Sequence, residues 1–328
     1  MSIPFTATRR LALGVVACSL SIAAASAVAQ DEAYPNRPIK IVVPFAAGSA
    51  SDTVARIVGA ALATSLKQPV VIDNKAGAGG TIGAASVAQA SPDGYTLVLT
   101  SSSTHSGAAA LVKRVPYDGV TDFVHVSRIT NIPLMLVANP SKNLPDVAAL
   151  IQASHNKVAL NYGYGNASSQ IATGTFNTEA KVDALGVPYK SQPPVVADLI
   201  AGQVDYMFGD ISVVKAFVDA KRLVPLAVST PARLPAFPNV PTLQEQGFKN
   251  FDLVVWVGLA APKGTPPAIS DKLAQAVSAA LKNPEVVTKL NDAGMQVAPL
   301  AGEAMRAFAI EQQKIWTARA QAAGVKPE

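Results

Sequence analysis

The chain has 328 residues, one cysteine, and 27 Lys plus Arg against 22 Asp plus Glu, a formal net charge of +5. The basic residues are scattered and no stripe alternates Lys or Arg with aromatics, which excludes a phosphate-tracking surface and so sets nucleic acid aside as a partner. One cysteine cannot form a disulfide within the chain, so the fold must rest on buried apolar area, which a chain of this length can supply.

From the amino terminus, Arg9 and Arg10 precede an apolar stretch from Leu11 to Ala29 that ends in Ala27-Val28-Ala29. This reads as a secretory signal peptide cleaved after Ala29. Ser19, Ser21 and Ser26 dilute the stretch, and Gln30, Asp31 and Glu32 follow it without a positive stop-transfer cluster, which argues against a membrane anchor. Val15-Val16-Ala17-Cys18 offers a rival lipoprotein-type cleavage that would leave Cys18 acylated, but apolar sequence continues well past it. Cleavage after Ala29 leaves 299 residues (328 less 29), no cysteine, and a net charge of +3 (25 less 22).

Short β-branched runs then alternate with longer alanine-rich stretches, the rhythm of βαβ units. Strands are predicted over 39–43, 70–72, 97–100, 134–137, 160–162, 204–208 and 226–228, with helices over 53–66, 81–90, 147–153, 169–180 and 194–201. The fold class is therefore α/β, with open mixed sheets flanked by helices. Boundaries are expected around Asn131-Ile132-Pro133 and along the proline-rich 229–241. They divide the chain into a discontinuous first domain, 30–130 plus 231–328, and a second domain, 131–230. From Pro267 on the tail reads as helices over 268–281 and 302–322 with a short strand near Val297.

Four loops carry the chemistry. Phe45-Ala46-Ala47-Gly48-Ser49-Ala50-Ser51-Asp52 joins a strand to a helix, where free backbone N–H groups and the helix dipole favour a carboxylate or phosphate. Ser51 or Asp52 could equally cap the helix, and both roles can hold together. Ala76-Gly77-Ala78-Gly79-Gly80-Thr81 lacks the Lys-Ser/Thr ending of a nucleotide-binding loop and reads as a tight turn. Thr100-Ser101-Ser102-Ser103-Thr104 follows a strand end, where open α/β sheets place ligand contacts, and is otherwise a solvated loop. Gly163-Tyr164-Gly165-Asn166-Ala167-Ser168-Ser169 lies at a strand-to-helix junction in the other half of the chain. A pocket between the halves would be faced by helix starts from both sides. Catalytic parts are missing: His105, His125 and His155 are widely separated in sequence, no metal-ligand spacing or Gly-x-Ser-x-Gly elbow is present, and no cofactor or metal is expected.

The markers Tyr34-Pro35-Asn36-Arg37-Pro38-Ile39, Val42-Val43-Pro44-Phe45, Gly79-Gly80-Thr81-Ile82-Gly83, Ser91-Pro92-Asp93-Gly94-Tyr95-Thr96-Leu97, Val187-Pro188-Tyr189-Lys190 and Asn239-Val240-Pro241-Thr242 run from residue 34 to 242, and the resemblance they carry covers essentially the whole mature chain. By them the sequence resembles the solute receptors of tripartite tricarboxylate transporters, the Bug (Bordetella uptake gene) receptors. The resemblance implies a two-domain periplasmic binding protein, a type II-like Venus flytrap, that is monomeric and non-catalytic. It would hold a small organic carboxylate in the interdomain cleft and deliver it to tripartite tricarboxylate transporter membrane subunits. It implies contacts at Phe45, Ala46, Gly48, Ser49 and Asp52, at Ser101, Ser102, Ser103 and Thr104, and at Gly163, Gly165, Ser168, Tyr189 and Asp210; the fourth loop adds Tyr164 and Asn166. Ala47, Gly48-Ser49, Gln170 and Ser191 depart from the family's pattern around the pocket, so no relative's ligand transfers directly. A sensor presenting its closed form to a signalling protein is the alternative, and a periplasmic enzyme acting on carboxylates the more distant one. Gly48→Val is expected to cost more than about tenfold in affinity, and Lys75→Ala and Lys190→Ala less than about tenfold.

Overall fold

The alternating pattern of the first half folds as expected in a computed structural model of the chain, which describes residues 34–249, 251–325 and 327. The cleavage expected after Ala29 and the alternative at Cys18 lie outside the described residues. Ile39–Val43 forms β1, and Ser49 then caps helix α1, Ala50–Leu66, by accepting from the Asp52 amide at 3.3 Å. Strand β2 (Val70–Asn74), helix α2 (Thr81–Ala88) and strand β3 (Thr96–Ser101) follow. The glycine cluster before α2 is the tight turn expected, a 3₁₀ turn over Ala78–Gly80.

The polar run after β3 is not a solvated loop. Ser102–Gly107 winds into one buried π-helical turn, closed by a reciprocal capping box between Ser101 and Thr104, and leads into the short helix α3, Ala108–Leu111.

Strand β4, Phe123–Ala138, runs unbroken through Asn131-Ile132-Pro133, where the sequence suggested a boundary. It carries two sections of one ten-stranded sheet. The second section contains helix α4 (Val147–His155), strand β5 (Asn161–Tyr164), helix α5 (Ala167–Ala180), strand β6 (Leu185–Pro188), helix α6 (Gln192–Ala201), strand β7 (Tyr206–Asp210), helix α7 (Ile211–Asp219) and strand β8 (Val224–Val228). Strand β9, Val254–Pro262, returns to the first section and is followed by helices α8 (Pro267–Ala280) and α9 (Pro284–Asp292), strand β10 (Gln296–Ala301) and helix α10 (Gly302–Ala322).

Eight strands lie in the order β2-β1-β3-β9-β4-β7-β5-β6, and β8 and β10 also pair with β4; the first part of β4 pairs with β9 as far as Pro133, and from Leu134 it pairs with β7 and β8. Ser229 ties the return crossing to the same point: its amide donates to the Leu134 carbonyl at 2.9 Å, and its hydroxyl accepts from the Leu134 amide at 3.0 Å. Both crossings between the sections therefore share one hydrogen-bonded knot. Helix α10 packs on β4 and also on α5, where Thr178 Oγ1 donates to the Ala323 carbonyl at 3.3 Å, so the tail touches both sections.

The central strands are covered on both faces, which is why β3 and the second part of β4 read as continuous apolar runs. Leu97, wholly buried on β3 opposite Ile41, tests this core: Leu97→Ala is expected to cost about 2–5 kcal/mol, read as a lowered midpoint of urea unfolding.

Candidate functional site

Helices begin where strands end, and here several begin at one place. Ser49, Asn166, Ser191 and Asp210 are the residues preceding α1, α5, α6 and α7, and all four line a single chamber between the two sections of the sheet. Ser101, which caps the π-helical turn, joins them, while Ile132, Val255 and Val257 supply apolar wall. The first-turn N–H groups of a helix lack intrahelical acceptors and carry the positive end of its dipole, so four such starts make a site for an anion. Among the described residues lining the chamber there is no Lys, Arg or His.

Three buried polar side chains of the chamber lack hydrogen-bond partners: Ser191 Oγ, Gln192 Nε2 and Asp210 Oδ1, on residues 1%, 2% and 5% exposed. Such groups are costly unless something supplies a partner. Gln192 is held in place because its Oε1 accepts from the Asp210 amide at 2.8 Å. Burial pushes the Asp210 carboxyl up to about 7, and the Gln192 side chain offsets only part of this. The chamber is about 10 Å³, roughly the room of one water. It is shut by a bond across the sections, where the Ser103 and Ser168 hydroxyls lie 2.8 Å apart and the Ser168 amide donates to Ser103 Oγ at 3.1 Å.

Outside the chamber, and sharing Asn166 with it, lies an open groove of about 390 Å³. One wall is Ala78, Ala108, Leu111 and Val112; the other is Tyr164, Gly165, Ala167 and Tyr189.

Of the residues expected from sequence, Phe45, Ser49, Ser101, Ser103, Asn166 and Asp210 line the chamber, and Tyr164, Gly165 and Tyr189 line the groove. Tyr189 is oriented by its hydroxyl, which donates to Asp198 Oδ2 at 2.7 Å. Ser168 is the closing partner of Ser103. The rest sit behind these surfaces. Ser102 Oγ accepts from the Trp256 amide at 2.8 Å, Thr104 bonds Ser101 and His105, and Gly163 lies under Val195.

Asp52 is buried but lines neither space. Burial alone would raise its carboxyl, yet hydrogen bonds from Arg56, the Gly48 amide and Asn74 outweigh this and hold it below its usual value. Asp52 is thus the brace of the first loop. Ala46 is half-buried and Gly48 exposed; the Gly48 amide is taken by Asp52, and a Cβ there would meet nothing closer than Pro193 Cγ at 4.0 Å. What Gly48 requires is therefore its left-handed φ of 79° and not a close approach of its backbone to a neighbour.

Sequence reasoning missed Gln192, Val255 and Val257 as chamber residues and treated Ser191 only as a departure. The signal for the first was present: Ser191 followed by Gln192-Pro193-Pro194 after a strand marks a helix start like the other three.

The histidines, far apart in sequence, are partly reunited. His105 and His125 lie 5.9 Å apart between ring centroids, in a buried cluster with Tyr117 and Phe123. Burial, with His125 nearby, holds His105 well below the usual histidine range, and burial lowers His125 to about 4. They are neutral core groups away from the chamber, and no cluster of metal-ligating side chains occurs among the described residues.

Residues 54–325 match the family described as "Tripartite tricarboxylate transporter family receptor". BugT of Bordetella pertussis is 33% identical over 318 residues, covering 96% of this chain and 98% of BugT. Two solved structures superpose closely. The periplasmic binding protein BugD has a TM-score of 0.86 at 31% identity, covering 90% of this chain and 100% of that one. MatC of Rhodopseudomonas palustris with bound malate has a TM-score of 0.84 at 34% identity, covering 87% and 99%. The fold is that of the periplasmic binding proteins, with the chamber between its two sections.

Proposed function

The chain belongs to the tripartite tricarboxylate transporter receptor family, and from that premise we propose that it is a non-catalytic periplasmic receptor that captures a small organic carboxylate and delivers it to the transporter's membrane subunits. The observation that carries the reading is the convergence of four helix starts on one chamber without a cation. Amides fixed at helix starts, with the Ser191 hydroxyl and the Gln192 amide, supply the donors a carboxylate needs. The sections, 37–132 with the return from 254 and 134–228, act as the two domains. They part about the Leu134–Ser229 knot to admit ligand, because the closed chamber is too small for a carboxylate.

No helix among the described residues is long and apolar enough to cross a membrane. Export is assigned to the amino-terminal signal, and intact mass of periplasmic protein should give a chain beginning at Gln30. A lipid-bearing chain from Cys18 would instead tether the receptor.

Ligand at about a hundred times its dissociation constant should stabilise the protein by roughly 2.7 kcal/mol. A melting-temperature screen of mono-, di-, tri- and aromatic carboxylates, without turnover of any of them, tests this; a flat response across the panel would remove the reading. Ser103→Ala removes a closing bond whose net worth is about 1 kcal/mol, so affinity should fall about fivefold by titration calorimetry with the melting temperature of the free protein little changed.

A further inference from the structure

Once the sections part enough to admit a carboxylate, the chamber seats the head of a ligand, and its neighbour says what the rest of the ligand is. The groove adjoins the chamber: Asn166 lines both, and Gly165, which lines the groove, packs against the start of α6, whose Ser191 and Gln192 line the chamber. Its walls are mainly apolar, with the amides of Asn166 and Gln170 among them, and the exposed Lys190 is its one charged lining residue among those described. The two walls come from different sections: the 3₁₀ turn with Ala108–Leu111 and Val112 on one side, and the residues around Tyr164 and Tyr189 on the other. An apolar group between them would touch both sections and favour their closed arrangement. A polar group there would leave water and exchange it for alanine, leucine, valine and tyrosine rings, which costs free energy.

Resting on the carboxylate-receptor reading above, we propose that the ligand is an amphipathic carboxylate, its head in the chamber and an aromatic or medium-chain aliphatic body in the groove. The unpartnered Ser191, Gln192 and Asp210 groups point to the polar head, and the apolar walls select the body. Groove and chamber thus divide the work: the chamber requires a carboxylate, and the groove discriminates among carboxylates by the apolar area each can bury.

The test compares apolar-bodied carboxylates with malate, which is of similar size and polar body, and with acetate, which is little more than the head. Phenylacetate and hexanoate are titrated calorimetrically against malate and acetate, with wild type, Ala78→Phe and Val112→Asn. Ala78 is exposed on the turn at a left-handed φ of 45° that already carries a side chain, and Val112 is half-buried; circular dichroism with a melting curve checks that both variants fold. Wild type should bind phenylacetate or hexanoate at least about tenfold tighter than malate and acetate. Ala78→Phe, which fills the groove, and Val112→Asn, which makes its wall polar, should each erase most of that advantage while leaving acetate affinity within about twofold. If malate binds as tightly as phenylacetate, or if both variants keep the wild-type ranking, the groove does not hold the ligand body and the proposal falls while the carboxylate reading stands. If no carboxylate in either series binds wild type, both fall together.

Discussion

Asp210→Asn should free ligand binding of its pH dependence and raise the melting temperature of the unliganded protein at pH 8 by several degrees. In the wild-type fold burial moves the Asp210 carboxyl from 3.8 up to about 7, with no cation among the residues lining its chamber to stabilise the charge. Between about pH 4 and pH 7 the folded chain keeps a proton that the unfolded chain has released, so this group's contribution to stability is complete below pH 4 and is lost as pH rises through 7. The gap amounts to a few kcal/mol as an upper bound. Asparagine never ionises, so the variant escapes that loss. At pH 4 the two proteins should melt alike, and at pH 8 the variant should melt higher. Differencing the two curves cancels the contributions of His105 and His125, which are the same in both. Binding follows the same logic. A ligand carboxylate is fully ionised above pH 6, and two negative charges in one buried chamber repel strongly, so wild type must bind a proton with the ligand above pH 7. Its affinity should fall toward about tenfold per pH unit from pH 7.5 to 9, while that of Asp210→Asn stays level. Equal pH slopes in the two proteins would show that Asp210 does not face the ligand.

That Asp210 and Gln192 meet in a chamber was not legible in the sequence, because nothing local to either residue records the other. What was legible followed from local rules. The run at β1 and the loop after it announced a strand, a turn and a helix, and the loops 45–52 and 163–169 announced strand-to-helix junctions, although the cap of the first helix is Ser49 and not Ser51 or Asp52. Strand β9 went unread because Val254–Pro262 is a short apolar run containing Gly258, a pattern that periodicity alone does not assign. Contact explains the glycine: a Cβ there would lie 2.6 Å from the Ser127 carbonyl oxygen and 2.9 Å from Thr100 Oγ1, across the two neighbouring strands. Pro133 suggested a boundary, yet β4 runs through it. The proline marks where the strand changes partners, a tertiary event to which a propensity rule is blind. The run Ser101 to Thr104 was read for its polarity, whereas its side chains satisfy one another and the turn is buried.

Gly165→Ala should lower ligand affinity by more than about a hundredfold, or roughly 2.7 kcal/mol, and more than any substitution at Gly48. A Cβ at Gly165 would fall 2.5 Å from the Gln192 amide nitrogen and nearer still to the Ser191 carbonyl group. These are backbone atoms at the start of α6, so they cannot swing aside as the end of a long side chain would. The added methyl has to push the start of α5 away from the start of α6, and the caps of those helices, Asn166 and Ser191, are two of the four that frame the chamber. A displacement near 1 Å is enough to spoil hydrogen bonds aimed at a carboxylate. Overpacking of this kind costs about 1–3 kcal/mol of stability, which a domain of this size survives, and circular dichroism with a melting curve verifies it. Gly48→Val is the control. Its Cβ has space, its amide already serves Asp52, and its cost comes from a φ of 79° that a branched residue resists. That variant should lose stability while keeping affinity within about tenfold, a reversal of the loss expected from sequence, because the Gly48 Cβ has space and its amide is held by Asp52. If Gly165→Ala binds like wild type while Gly48→Val fails, the ligand is held by the exposed first loop, and the four converging helix starts are architecture without a binding role.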